Sequence, residues 1–125
     1  MKIAIDLDNT ITASKQSIEF FRFLTAAFIK QNKIYILTNR EQCSEPKIAN
    51  ELEKLNISYS HIVITSNKAE FIKQKGIEVF IDDTDEYFLN IPETVLVFKI
   101  REEGNFDFAE RKWIASRRTV KLIDE

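Results

Sequence analysis

The chain has 125 residues, enough for one modest core and too few for a core plus a sizeable accessory domain. Its hydrophobic share of 44% lies far above the range of disordered segments, and ten phenylalanines supply much of the core volume. A net charge of −2 gives no global electrostatic case for binding nucleic acid or a membrane surface.

Local features narrow this further. The run from Arg111 to Lys121 carries five basic residues (Arg111, Lys112, Arg117, Arg118, Lys121) and no acid. Its ordinary reading is a solvated face, although it keeps nucleic acid open as a partner. Cys43 stands alone, so no intramolecular disulfide forms and an inert thiol is expected. The opening residues, Met1 to Asp6, meet charge too soon for a secretory leader, and no apolar run approaches the roughly 20 residues that span a bilayer. The expectation is a soluble cytoplasmic protein with no membrane partner.

In chain order, Ile3 to Leu7 is a compact β-type run of the kind buried on both faces. From Ser17 onward Ile18, Phe20, Phe21, Leu24, Phe28 and Ile29 recur at helical spacing. Lys33 to Thr38 (KIYILT) predicts a second strand. Ser44 opens a helix with Pro46 in its first turn and Ile48, Leu52 and Leu55 along its apolar stripe. His61 to Thr65 predicts a third strand, Asn67 to Lys75 a short helix closed by Gly76, Ile77 to Ile81 a fourth strand and Thr94 to Ile100 a fifth. Lys112 to Ser116 and Thr119 to Ile123 are placed to pair as a terminal hairpin around Arg117 and Arg118. Strands alternating with helices imply right-handed βαβ units. The expected fold is therefore α/β, a three-layer Rossmann-like parallel sheet with helices on both faces, formed by residues 1–125 as one domain.

Polar residues collect where the apolar strands end. The first strand runs into Asp6-Leu7-Asp8-Asn9-Thr10, the second into Thr38-Asn39-Arg40, the third into Thr65-Ser66-Asn67-Lys68, and the fourth into Asp82-Asp83. Open α/β sheets bind ligands in the crevice outside the carboxyl ends of their strands. Asp6 and Asp8, at i and i+2 of an extended run, are expected on one side. Packed against Asp82 and Asp83 they would repel one another without a cation, and oxygen ligands without clustered His or Cys suit Mg²⁺. Lys68 and the Thr38 hydroxyl supply the charge and donor that phosphoryl oxygens require. Asn39 and Arg40 are candidates for substrate contact or for a structural turn. His61 and Trp113 are better read as structural residues.

Those residues resemble the four motifs of the haloacid dehalogenase superfamily, in family order from residue 6 to residue 83. Asp6-Leu7-Asp8-Asn9-Thr10 is similar to its first motif, Thr38 to its second, Lys68 to its third and Asp82-Asp83 to its fourth. The resemblance implies a Mg²⁺-dependent phosphatase acting on a phosphomonoester through an aspartyl-phosphate on Asp6. It implies Asp8 as general acid/base, with Thr38 and Lys68 completing the catalytic set. Asn9, Thr38, Asn39, Arg40 and Lys68 would contact substrate, and Asp6, Asp8, Asp82 and Asp83 would form the metal set, with Asp83 the direct ligand and Asp82 its neighbour. Lys73 and Lys75 rank below Lys68 because they lie farther along the helix. The short intervals between motifs imply a member without a cap domain, whose open site admits a nucleotide, a sugar phosphate or a macromolecule, or is covered by a second subunit. A Thr-x-Arg turn and its spacing are also similar to 5′(3′)-deoxyribonucleotidases. Two other readings are a catalytically silent scaffold of this family, acting as a binding or regulatory module, and a response-regulator receiver domain. The latter has its acidic pair first and its lysine last, unlike this chain.

Overall fold

The computed structural model describes residues 1–114. Its elements are β1 (Lys2–Ile5), a bent helical turn (Leu7–Ile11), α1 (Lys15–Phe28), β2 (Lys33–Thr38), α2 (Glu45–Lys54), β3 (His61–Ile64), α3 (Lys68–Lys75), β4 (Val79–Asp82), a short turn of 3₁₀ helix (Asp85–Phe88), β5 (Leu96–Lys99), β6 (Phe106–Asp107) and β7 (Lys112–Trp113). The first five strands form one parallel sheet in the order β3-β2-β1-β4-β5. Successive crossovers move outward from β1 to β3, then return to the other side of β1 for β4. The order therefore reverses between β1 and β4, which is where an open α/β sheet leaves a crevice at its carboxyl edge.

The alternation of side chains along each strand assigns the two faces. Ile3, Ile5, Ile34, Ile36, Val79 and Ile81 pack with Phe21 of α1 and with Ile48 and Leu52 of α2. Ala4, Tyr35, Leu37 and Phe80 point the other way, onto Ile72 of α3 and Tyr87 of the 3₁₀ turn. A sheet covered on both sides explains why β1, β2 and β4 read as continuous apolar runs. Carried one step past the apolar residues, the same alternation sends Asp6 and Asp82 to the α3 face.

Helix ends follow their local chemistry. The Ser14 hydroxyl accepts the Ser17 N–H at the start of α1 (3.0 Å), and the Asn67 carboxamide accepts the Glu70 N–H at the start of α3 (3.2 Å). Gly76 ends α3 in the left-handed region (φ 68). No helix among the described residues is long and apolar enough to cross a membrane.

One expectation needs correction. Strand β1 stops at Ile5 instead of Leu7: Asp6 still donates its N–H to Ile81 O (3.0 Å), but Leu7 and Ile11 then turn inward and are wholly buried. Of the expected terminal hairpin only residues 112–114 lie among the described ones. Lys112 and Trp113 pair antiparallel with Asp107 and Phe106, because the Trp113 ring stands edge-on to Phe106 at 5.2 Å and Lys99 caps its face at 4.3 Å. Residues 119–123, the partner expected from sequence, lie outside the described residues. His61 is exposed at the start of β3 and stacks on Tyr35, in keeping with a structural role.

Candidate active site

At the β1/β4 edge the chain builds a buried ionic cluster. Asp6 leaves β1 extended, Asp82 ends β4, and Lys68 opens α3 on the face toward which both point. The Lys68 ammonium donates to Asp6 Oδ1 (2.9 Å) and to Asp82 Oδ2 (2.8 Å), and its side chain is only 1% exposed. The Tyr87 ring lies 4.1 Å below the same nitrogen, closing its remaining side with the negative face of an aromatic. Burial pushes the ammonium down, but Asp6 and Asp82 outweigh burial and hold it above the ordinary lysine range. Lys68 is thus a fixed internal cation, not a solvated surface lysine.

The carboxylates around it are not equivalent. Asp82 is held by three donors: Oδ1 accepts the N–H groups of Asp83 (2.7 Å) and Thr84 (3.0 Å), while Oδ2 accepts Lys68. It shapes the turn after β4 and holds the lysine. The Thr10 hydroxyl has one proton to offer, to Asp6 Oδ2 at 2.9 Å or Asp83 Oδ1 at 3.3 Å. Burial first, and then the charge of Asp82, push Asp6 up to about 6 despite Lys68 and Thr10. Burial, followed by the charge and hydrogen bond of Asp6, pushes Asp83 up to about 9. One oxygen from each of Asp6, Asp82 and Asp83 lies within 4.8 Å of the others. Two carboxyls that resist ionising side by side are a cluster short of positive charge.

Asp8 is set apart from this group. With β1 ended, Asp8 (φ −70, ψ 127) and left-handed Asn9 (φ 58) lie in the bent turn, so the same-side argument for Asp6 and Asp8 as strand neighbours does not hold. Asn tolerates this conformation better than most residues. The Asp8 carboxylate is held in a two-pronged grip by Arg40, with Nε donating to Oδ2 (2.8 Å) and Nη2 to Oδ1 (2.5 Å). Glu51 of α2 accepts from the same guanidinium (2.5 and 3.1 Å). These two acids hold Arg40 above the usual arginine range. Arg40 is therefore engaged with protein groups, bridging Asp8 and Glu51.

A cleft of about 190 Å³ opens above the cluster, lined by Asp6, Asp8, Asn9, Asn39, Lys68 and Asp83, with Thr84 and Tyr87 at its margin. Thr38 is wholly buried at the end of β2, accepts the Arg40 N–H (3.4 Å), and does not line the cleft. Asn39 does, and its carboxamide donates to the Tyr87 hydroxyl (2.5 Å). A larger hollow of about 700 Å³ lies beside α2, against Pro46 and Tyr59, but no set of opposed charges converges there. The polar cleft is the chemically organised one.

Four contributors escaped sequence reasoning. Thr10 belongs to the quoted motif but had no assigned role. Glu51 looked like any charged residue on an amphipathic helix. Tyr87 and Asn105 come from irregular segments, where no period signals their inward direction. Asn105 is 1% exposed, and its carboxamide donates to the carbonyls of Asp83 (2.9 Å) and Ile100 (2.7 Å), tying the Asp83 turn to the end of β5.

Between Asp8 and Thr38 the chain builds only the rest of the bent turn, α1 and β2, and between Thr38 and Lys68 only α2 and β3, so neither interval holds an inserted unit. Comparison of the chain with protein-family models, with curated proteins and with solved structures finds no match.

Proposed function

We propose that this chain is a capless phosphatase of the haloacid dehalogenase type, hydrolysing a phosphomonoester through an aspartyl-phosphate on Asp6. The observation that carries the reading is the buried Lys68 ammonium bridging Asp6 and Asp82 at the sheet's switch point, with Asp83 beside them. Surface lysines and strand-end aspartates do not assemble this way for packing alone, because burying such charges costs several kcal/mol per ion unless each is matched.

The donor set fits a hard divalent cation. Asp6 and Asp83 offer oxygens that burial and mutual repulsion leave short of positive charge, and Asp82 Oδ2, which accepts only Lys68, lies beside them. Mg²⁺ commonly uses one or two carboxylates and completes its shell with water and substrate phosphate. When bound it would supply neutralisation of the phosphate's negative charge. Thr65, Ser66 and Asn67 lead the chain into α3 without reaching this set.

In the proposed reaction Asp6 Oδ attacks phosphorus and the bond to the leaving oxygen breaks. Asp8 gives that oxygen a proton, then takes one from the water that cleaves the Asp6 phosphoryl bond, restoring both carboxyls. Lys68 stays fixed against Asp6 and meets the transferring oxygens, while Asn9 and Asn39 line the cleft as substrate contacts. Arg40 and Glu51 hold Asp8 at the cleft's side, which extends the sequence expectation of a direct Arg40–substrate contact to a positioning role. Thr38 acts by shaping the turn that carries Asn39 and Arg40.

The open cleft accommodates a nucleotide, a sugar phosphate or a phosphorylated macromolecule, and the protein is expected in the cytoplasm. One feature favours the second reading, a catalytically silent binding module: Asp8 is already occupied by Arg40. Phosphate release from a panel of phosphomonoesters, with Mg²⁺ and with chelator, separates the two. Metal-dependent release that disappears in Asp6→Asn supports the phosphatase. Equal release by Asp6→Asn would exclude it, and no release beside intact Mg²⁺ binding would favour the silent module.

A further inference from the structure

The cations placed at the strand ends already have partners. Lys68 lies between Asp6 and Asp82, with the Tyr87 ring against its remaining side. Arg40 commits Nε, Nη1 and Nη2 to Asp8 and Glu51 and is not part of the cleft lining. Lys99 pairs with Asp85 and covers Trp113, and the Arg101 guanidinium stacks on Phe106 and Phe108 (4.7 and 5.2 Å). The lining therefore sets one ammonium, that of Lys68, against the carboxylates of Asp6, Asp8 and Asp83. Asn9, Asn39, Thr84 and Tyr87 complete it with neutral polar groups.

The size of the cleft decides which part of a substrate meets this lining. At about 190 Å³ it lies below the roughly 300–1,000 Å³ of pockets that enclose a whole drug-sized ligand. It takes a phosphoryl group and the few atoms bonded next to it, while the rest of the substrate lies outside.

We propose that the substrate of this site is the monophosphate of a neutral, hydroxyl-bearing alcohol, and that the cleft rejects esters with a second anionic group beside the phosphate. The inference rests on the phosphatase reading and narrows it. Sugar, polyol and nucleoside monophosphates fit; phosphorylated carboxylic acids and vicinal bisphosphates do not. The phosphoryl group draws on Lys68, and the charge of a Mg²⁺ held by Asp6 and Asp83 would be matched by those carboxylates and the phosphate. A carboxylate entering beside the phosphate meets Asp8, amides and hydroxyls, and no uncommitted cation in the lining among the described residues. Leaving water unpaired is costly for an anion, and a like-charged neighbour adds to the cost. Recruiting Arg40 instead would strip Asp8 and Glu51 of their shared partner. A hydroxyl meets no such penalty, because amide and hydroxyl groups can both donate to it and accept from it. Discrimination of this kind comes from the unmatched charge of the wrong ligand.

Glycerol 2-phosphate and 2-phosphoglycerate test this directly. They share a carbon skeleton and differ in a hydroxymethyl group against a carboxylate on the carbon that bears the phosphate. With Mg²⁺, kcat/KM for glycerol 2-phosphate should exceed that for 2-phosphoglycerate at least about tenfold. Asn39→Lys adds an ammonium to the lining and should shrink the ratio to about threefold or less, with circular dichroism as the check on folding. Comparable wild-type values, or a preference for 2-phosphoglycerate, would overturn the proposal, as would a folded Asn39→Lys protein with the wild-type ratio. Absence of phosphate release from both esters would count against the phosphatase reading alone. Calorimetric titration of the same two esters into the wild type with Mg²⁺ then decides the preference. Glycerol 2-phosphate binding at least about tenfold tighter supports it, and equal, reversed or absent binding overturns it.

Discussion

Replacing Lys68 with Met keeps a side chain of similar length but removes the ammonium that lies 2.9 Å from Asp6 and 2.8 Å from Asp82. Both carboxylates are buried, so solvent cannot replace the lost charge, and breaking a buried pair of this kind costs about 3–5 kcal/mol. At about 4 °C per kcal/mol for a domain of this size, Tm should fall by roughly 12–20 °C. The deficit should depend on pH. Asp6 is already pushed up to about 6 by burial and by Asp82, against the pull of Lys68. Without the lysine it moves higher, so the folded state keeps a proton that the unfolded state, near 3.8, has lost. An acid raised in this way loses stability as pH rises through the window between the two values. The variant should therefore lie close to the wild type at about pH 5 and far below it at about pH 8. Urea unfolding of both proteins at the two pH values, in chelator and in Mg²⁺, measures this, and Mg²⁺ should recover part of the loss at the higher pH. A Lys68→Met protein within about 1 kcal/mol of the wild type at pH 8 in chelator would refute the role of Lys68 as the cluster's counter-charge.

Three further outcomes follow from the same geometry. Asp83→Asn removes a carboxyl raised from 3.8 to about 9, and with it the loss of stability that the metal-free wild type suffers as pH climbs through that window. In chelator at pH 8 it should be at least as stable as the wild type yet show no rise in unfolding midpoint with Mg²⁺; an undiminished rise would remove Asp83 from the metal set. Arg40→Met frees Asp8 from its two-pronged grip and should lower kcat about tenfold or more, while the Mg²⁺-induced rise in midpoint stays as in the wild type. Loss of that rise together with kcat would mean that Arg40 supports the whole cluster instead of orienting Asp8. Asn105→Ala leaves the carbonyls of Asp83 and Ile100 without their donor and should cost about 1–3 kcal/mol in urea unfolding, which an unchanged midpoint would contradict.

Much of this site was legible because parallel strands buried on both faces must be apolar until they end. The first polar residue after each run therefore marks the sheet's carboxyl edge, and Asp6, Thr38, Lys68 and Asp83 could be placed there from sequence. The reasoning failed where it assumed that a strand continues. Asp8 was set beside Asp6 by two-residue alternation, and both do line the cleft, but β1 ends at Ile5, so Asp8 reaches it from the bent turn, where Arg40 holds its carboxylate. Asp82 was read as one of four similar acids, and only the folded turn reveals that two N–H groups and Lys68 hold it. Tyr87 and Asn105 carry no periodic signal, since their directions are set by hydrogen bonds made across the fold. Lys112 and Trp113 were expected to pair forward in the chain. The structure shows them pairing back onto Asp107 and Phe106, where the Phe106 ring meets Trp113 edge-on at 5.2 Å, while the segment expected ahead of them lies outside the described residues.

The central claim is that Asp6 carries the phosphoryl group, and trapping it is the most direct measurement. The protein would be incubated with p-nitrophenyl phosphate and Mg²⁺, quenched in acid and reduced with borohydride, which converts an aspartyl-phosphate to homoserine. Peptide mass spectrometry should then find homoserine at position 6 in the Mg²⁺ sample and unmodified Asp6 in the chelator control. Magnesium-dependent phosphate release with Asp6 unmodified, or with the phosphoryl group on another residue, would contradict the account.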